Sequence, residues 1–373
     1  MELVIRRRLH ILWIGILLSG AVAVGLGWGG YERHMQTAVL NQKAEVPIEG
    51  TLVFSGTRHW TDHMPQLWIL QGQEIRHLGR RGVDTVLSRD GKRLFYIGQE
   101  GLYQLDLQSL TEKLLPLSKM LSVFRYDLSP DGNRICFVTG EVNQSKGLGG
   151  FNVHVTNIDS KGFRYLTSFP PDDISGANDP KWSPDGQWIL FTAFDPSEAK
   201  GKRNVRLWLI HPDGSDLHRI DGEVAKYSVN EPAWSPDGKS IVFISVPPED
   251  GSGNVVVEQT PGSELPTFVA PTSEDQVPKG DYELYVCNAN GSNVRRLTHN
   301  GWNEREPVFS PDGKQICFVS FRHLTVGMAG YGSELYLINV DGTNERRLTP
   351  PLKVPYRKAR GGWAEDHHPS WTP

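Results

Sequence analysis

Asn178-Asp179-Pro180-Lys181-Trp182-Ser183-Pro184-Asp185-Gly186, followed by the apolar run Trp188 to Phe194, decides the fold. The stretch returns as Asn230-Glu231-Pro232-Ala233-Trp234-Ser235-Pro236-Asp237-Gly238 and as Arg305-Glu306-Pro307-Val308-Phe309-Ser310-Pro311-Asp312-Gly313. Looser copies stand at Tyr126-Asp127-Leu128-Ser129-Pro130-Asp131-Gly132 and at Val86-Leu87-Ser88-Arg89-Asp90-Gly91. Each copy reads as a strand, a tight turn and a second strand. Pro presets φ, Asp bonds its own backbone, and Gly leaves the turn without steric cost. Self-similarity at this period means an array of β units.

Downstream of each turn come a strand, a short connection and a last strand. In the later units these are a strand of Leu-Tyr or Leu-Trp type and an Asp-Gly or Asn-Gly turn suited to a two-residue hairpin. Five units of this kind follow one another from about Val83. Two fragments are left over at opposite ends. His367-His368-Pro369-Ser370-Trp371-Thr372-Pro373 is an opening strand with no Asp-Gly after it. Thr51 to Gly56, Gln66 to Leu70 and Ile75 to Leu78 are the remainder of a unit that lacks its opening strand. Joined, they make a sixth unit. The pattern therefore predicts an all-β six-bladed β-propeller over 50–373, closed by N- and C-terminal strands, an arrangement that leaves no open sheet edge.

The units resemble the WD40-like propeller repeats of the TolB family. Glu334-Leu335-Tyr336-Leu337-Ile338 through Asp341-Gly342-Thr343-Asn344 to Arg346-Arg347-Leu348-Thr349 carries the likeness. Glu283-Leu284-Tyr285-Val286 through Asn290-Gly291-Ser292-Asn293 to Arg295-Arg296-Leu297-Thr298 repeats it. The resemblance runs from about Gly50 to Pro373 and implies fold far more than function, because many unrelated activities share such scaffolds. It leaves no room for the separate N-terminal α/β domain of that family, so a role in the Tol–Pal system is not carried over.

Charged residues at 22% and hydrophobic residues at 38% describe an ordinary globular domain. A net charge of -4 gives no basic excess to meet phosphates and excludes a general nucleic-acid binder. At the N-terminus Arg6-Arg7-Arg8 precede an uncharged run from Leu9 to Gly30. As a helix that run is about 33 Å long, enough to cross a bilayer. The expectation is a cytoplasmic tail over 1–8, a transmembrane signal anchor over 9–30 and a tether over 31–49, with the propeller extracytoplasmic, at the periplasm or cell surface. Read as a cleaved signal peptide, the same run would be cut near Ala21-Val22-Ala23. Cys136, Cys287 and Cys317 are expected as small core residues, since Cys136 and Cys317 occupy the same place in different units and are too far apart to pair.

The residue leading each opening strand stands near one mouth of the central channel. Alignment on Ser-Pro-Asp-Gly gives Asp84, Arg125, Asp179, Glu231, Glu306 and His368. A mainly acidic ring offers hard oxygens to a cation such as Ca²⁺ or to a basic peptide. It serves equally to cap strands and bond neighbouring amides. His59, His63, His299, His323, His367 and His368 raise a rival reading, because propeller lyases acting on oligogalacturonate hold a metal through such side chains; exposed loop histidines explain them too. The insertion over 247–280, rich in Pro, Glu, Asp, Ser and Gly, reads as a flexible segment, either a partner-binding flap or a tolerated surface insertion, and Gly147 to Gly150 as a loop.

Prolyl-oligopeptidase relatives set a propeller beside an α/β-hydrolase domain, but the chain carries no Gly-x-Ser-x-Gly elbow. The expectation is a monomeric, membrane-anchored propeller that binds an envelope or cell-surface protein, peptide or glycan, with no catalysis and no cofactor beyond a possible channel Ca²⁺. The alternative is a metal-dependent polysaccharide lyase or hydrolase acting at the channel mouth.

Overall fold

The Ser-Pro-Asp-Gly turns fold as their side chains dictate. The hydroxyls of Ser88, Ser129, Ser183, Ser235 and Ser310 each donate to the Asp Oδ1 two residues on, at 2.5–2.7 Å. Each also accepts the N–H of the residue five places on, at 2.9 Å. The glycines that follow the Asp sit at φ between 66° and 72°, the left-handed region where a side chain is strained.

A computed structural model describes residues 41–57, 65–119, 125–143, 147–168, 176–195, 204–247, 282–300, 302–324, 331–350 and 365–373. One compact unit runs from Lys43 to Pro373; the other covers Met1–Gln42. Blade 1 holds Val83–Leu87, Arg93–Gly98, Gly101–Asp106 and Glu112–Leu114. Blade 2 holds Tyr126–Leu128, Arg134–Asn143, Gly147–Asn157 and Arg164–Tyr165. Blade 3 holds Asn178–Trp182, Ile189–Phe194, Val205–Ile210 and His218–Arg219, and blade 4 Asn230–Trp234, Ser240–Ser245, Glu283–Asn288 and Arg295–Arg296. Blade 5 holds Glu304–Phe309, Gln315–Leu324, Tyr331–Asn339 and Arg346–Arg347. Each is an antiparallel meander, and the first strands of successive blades touch around a closed ring.

Blade 6 is built from both ends of the propeller: Glu365–Thr372 is its inner strand and pairs with Asn41–Thr57, Leu52 opposite Trp371. Strand geometry then runs unbroken over Gln66–Arg81. The rings of Trp68 and His77 nevertheless lie 5.0 Å apart. Nine residues of straight strand would separate them by about 30 Å. The chain therefore folds back between them, at the exposed Gln71 to Glu74, and supplies the two outer strands. Blades 5 and 6 also touch through one parallel pair, Ser333 with Glu365.

Packing explains why a blade is stable only beside its neighbours. Each large apolar cluster is shared by two blades: Val138, Val153 and Leu166 of blade 2 meet Trp182, Phe191 and Ile210 of blade 3. The other clusters join blades 1 and 2, 3 and 4, 4 and 5, and 6 and 1 in the same way. The second strand drives an aromatic ring into these layers at one repeated position. It is Phe54, Phe137, Phe191, Phe243 or Phe318, all fully buried, and Tyr96 in blade 1. All three cysteines are buried, Cys136 and Cys287 within these layers.

Two sequence expectations need correction. Residues 41–49 are strand, not tether: Ala44 and Ile48 are buried and Val46 half-buried, while Lys43, Glu45 and Glu49 face outward, the two-residue alternation of an edge strand. The amide of Glu45 donates to the Leu348 carbonyl at 2.9 Å, and its carboxylate pairs with Arg347. Gly147 to Gly150 are not a loop either; they begin a strand in which Gly149 lies opposite Glu141. The apolar run 9–30, residues 31–40, and the insertion from 248 to 280 lie outside the described residues, so the expected anchor and flap are not seen. Among the described residues no helix is long and apolar enough to cross a membrane.

Closure depends on one glycine. Gly50 sits at φ 79°, and a Cβ there would lie 2.2 Å from the Thr372 carbonyl oxygen, with Pro311 3.2 Å away. Gly72 has a similar φ of 59° and nothing within 4 Å. Gly72→Ala is expected to cost about 1 kcal/mol from the left-handed backbone alone, and Gly50→Ala at least about 2 kcal/mol more, because the seam must part. Urea midpoints of the two variants check this.

Candidate functional site

Five of the six candidate residues share a backbone feature. Asp84, Asp179, Glu231, Glu306 and His368 have φ between 48° and 52°. Each lies in a bulge of its innermost strand, where register slips between Val83 and Val86, Asn178 and Lys181, Asn230 and Ala233, and Arg305 and Val308. In blade 6 the slip falls between His367 and Ser370. A proline follows in blades 3 to 6, as Pro180, Pro232, Pro307 and Pro369. Its missing N–H is harmless there, because a bulge has no ladder bond to fill.

The bulge aims each side chain along the ring toward the next blade. Asp179 accepts the Glu231 amide at 3.3 Å. Glu231 accepts the Glu306 amide at 2.6 Å, and Glu306 the His368 amide at 2.5 Å. His368 Nδ1 lies 3.0 Å from Asp84 Oδ1 and 3.2 Å from Glu306 Oε1. Arg125 completes the circle, 2.5 Å from Asp84 and 3.6 Å from Asp179. All six candidates thus come together around one cavity of about 80 Å³, which Thr85, Tyr126, Lys181 and the four prolines also line.

Burial and neighbours set the charge of the ring. Burial pushes Glu231 up, aided by the negative Glu306 and Asp179, while Arg305 at 2.6 Å opposes it. Burial also works against Glu306, but the positive charge of His368 and the hydrogen bonds from both histidines hold its carboxyl well below the usual range. Asp84 is held low in spite of burial by its hydrogen bond to His368 and by the His368 and Arg125 charges. Burial tends to discharge Arg125, and four surrounding carboxylates overcome that and keep it protonated.

Such an arrangement makes a clasp. Every ring carboxylate has an oxygen engaged by a backbone amide, an arginine or a histidine. Among the described residues no group of three or more His, Cys, Asp or Glu side chains is placed to hold a metal ion. Of the histidine set, His367 lies 3.7 Å from Glu306, His299 is exposed, and His59 and His63 fall outside the described residues. His323 lies on the strand Gln315–Leu324.

Two residues escaped the sequence reading. Arg125 cannot accept an amide, and Asp127 does so in its place, taking the Trp182 N–H at 2.8 Å. Glu304 stands where the aligned repeats put Ala177 and Val229, and it is wholly buried. Its Oε1 accepts Arg322 at 2.9 Å and Asn300 at 2.8 Å, while no partner reaches Oε2 among the described residues. A glutamate replacing an apolar residue in an aligned repeat was the available signal.

No family model matches the chain. Over 208 residues, 54% of the chain, it is 27% identical to the uncharacterized peptidase YuxL of Bacillus subtilis (strain 168), covering 30% of that protein. Over 292 residues, 77% of the chain, it is 26% identical to the Tol-Pal system protein TolB of Francisella tularensis subsp. tularensis (strain WY96-3418), covering 53% of it. The crystal structure of TolB from Acinetobacter baumannii superposes on 87% of the chain and 67% of its own length, with a TM-score of 0.56 at 17% identity. The fold is a TolB-like propeller. The chain spans between 30% and 53% of the length of these two curated relatives, so the TolB-like likeness carries architecture and no activity.

Two outcomes are expected. Glu231→Ala leaves the Glu306 amide and the Arg305 guanidinium without their acceptor and should cost about 3 kcal/mol in urea unfolding. Burial raises Glu304 to about 7 from an ordinary 4.5, against the pull of Arg322. The unfolded chain releases that proton first, so its contribution is full below about pH 4.5 and is lost as pH rises toward 7, by at most about 3 kcal/mol. Glu304→Gln should flatten that part of the stability–pH curve.

Proposed function

We propose that this chain is an extracytoplasmic binding propeller that captures a protein or peptide at the ring mouth and performs no reaction there. One observation carries the reading: the charged groups at the mouth are spent on joining blades, which leaves a rigid, shaped rim in place of a reactive centre. Hydrogen-bonded carboxylates and a protonated Arg125 hold fixed charge without offering a free base or nucleophile. The small cavity admits no more than the tip of a ligand, and a rim of prolines and Lys181 offers the surrounding surface. The TolB-like architecture and the apolar run 9–30 behind three arginines support a location outside the cytoplasm, anchored by that run.

A photo-crosslinking residue at Lys181, on the rim, should trap an envelope protein in cells. The same residue at Lys239, in a turn between two strands, should trap none. Equal trapping at both positions defeats the reading. The matched peptidase gives a second reading, a propeller serving hydrolysis, and purified chain that cleaves peptides would establish it.

A further inference from the structure

A second cavity, of about 560 Å³, lies away from the ring between blades 2 and 3. Arg134 and Arg164 of blade 2 and His211 of blade 3 converge on it, with Asn157 and Asp213 beside them. The Arg134 guanidinium is stacked 4.6 Å from the Trp182 ring of the next blade, and Arg164 Nη1 donates to the Asp213 carbonyl at 2.6 Å. Among the described residues no carboxylate oxygen lies within ion-pair distance of either arginine, although Arg134 acts on Asp131 and Arg164 on Asp213 at longer range. By contrast Arg219, Arg296 and Arg347, one place further along the outer strands of blades 3, 4 and 5, are paired with Asp195, Glu283 and Glu45. Tyr165 takes that place in blade 2, so its outer strand brings a cation without an acid. His211 is stacked 3.7 Å from Trp188, with Nδ1 2.7 Å from the Gln187 carbonyl. That carbonyl can only accept, so Nδ1 carries the ring proton and donates it there. Asp213 is the one acid on the wall, and its Oδ1 already accepts the amide and hydroxyl of Ser215.

We propose that this groove binds a phosphate monoester. Two pre-set guanidinium groups and the Asn157 amide supply donors for three terminal oxygens and a charge near -2, and His211 forms the wall beside them. A carboxylate has only two oxygens and half the charge. The volume suits a small polar ligand. The site is separate from the ring mouth and does not depend on what binds there.

Calorimetry with glucose 6-phosphate, and co-sedimentation with phosphatidic acid vesicles against phosphatidylcholine vesicles, test the proposal on the full chain. Saturable binding of the sugar phosphate places the monoester on a soluble ligand; binding confined to phosphatidic acid places it on a lipid. R134Q/R164Q should weaken the observed binding at least tenfold. N157D adds a like charge at an exposed position without touching either stack, and should weaken it by a similar factor if the double variant folds poorly. R295Q, which removes the matching arginine between blades 4 and 5, should change affinity less than twofold. Failure of both probes to bind overturns the proposal, as does affinity unchanged in N157D.

Discussion

A side chain in one blade that receives the backbone N–H of the next is the joint on which this ring depends. The joint requires a left-handed residue, which costs about 1–2 kcal/mol, and a charged acceptor, whose hydrogen bond returns about 1.5–3 kcal/mol. The two terms nearly cancel, so the acceptor offsets the strain at these positions. Asp179, Glu231 and Glu306 meet both conditions. Blade 2 keeps its first residue out of the strained region and moves acceptance two residues on, to Asp127. Arg125 is then free to neutralise Asp84 and Asp179, without which adjacent carboxylates would repel across the channel.

A second belt at larger radius uses the opposite polarity. There arginines donate to carbonyls of the next blade, Arg164 to Asp213 and Arg295 to Val340. Between the belts, apolar clusters fill the gaps from blade to blade. On the turn side, Gly186, Gly238 and Gly313 each lie against a proline of the preceding blade, close enough that an added Cβ would make ordinary contact. Arg89, standing where other turns have proline, reaches the Pro184 carbonyl of blade 3 at 2.7 Å. Blades 2 to 5 are thus joined at the ring, in the apolar layers and at the turns.

The blade count and ring positions were legible because Pro, Asp and Gly fix the distance from turn to bulge within a few residues. What the ring side chains do was not. The choice between an ion site and a clasp rests on where the amide of the next blade lies, some 52 residues on for Asp179 and Glu231. Residues 41–49 failed as a strand for a related reason. Pro47 and two glutamates obscure the alternation, and Arg347, which pairs with Glu45, is 302 residues away. Glycines misled at 147–150, where the neighbouring strand, invisible in sequence, holds an extended ladder.

The seam between Trp371 and Glu49 joins positions 322 apart. Blades 1 to 5 draw on contiguous chain, yet the flank of blade 1 that packs on Val53, Leu67 and Ile69 stays uncovered until blade 6 assembles. During synthesis the first strand of the ring waits for the last, and an open arc exposes apolar surface at both ends. The entropy of closing so long a loop grows only logarithmically with its length, so the delay is a matter of time more than of stability. A nascent chain of this design leaves that apolar flank open to water until Glu365–Thr372 is made, and a premature stop before that strand yields an open arc with no route to a closed ring.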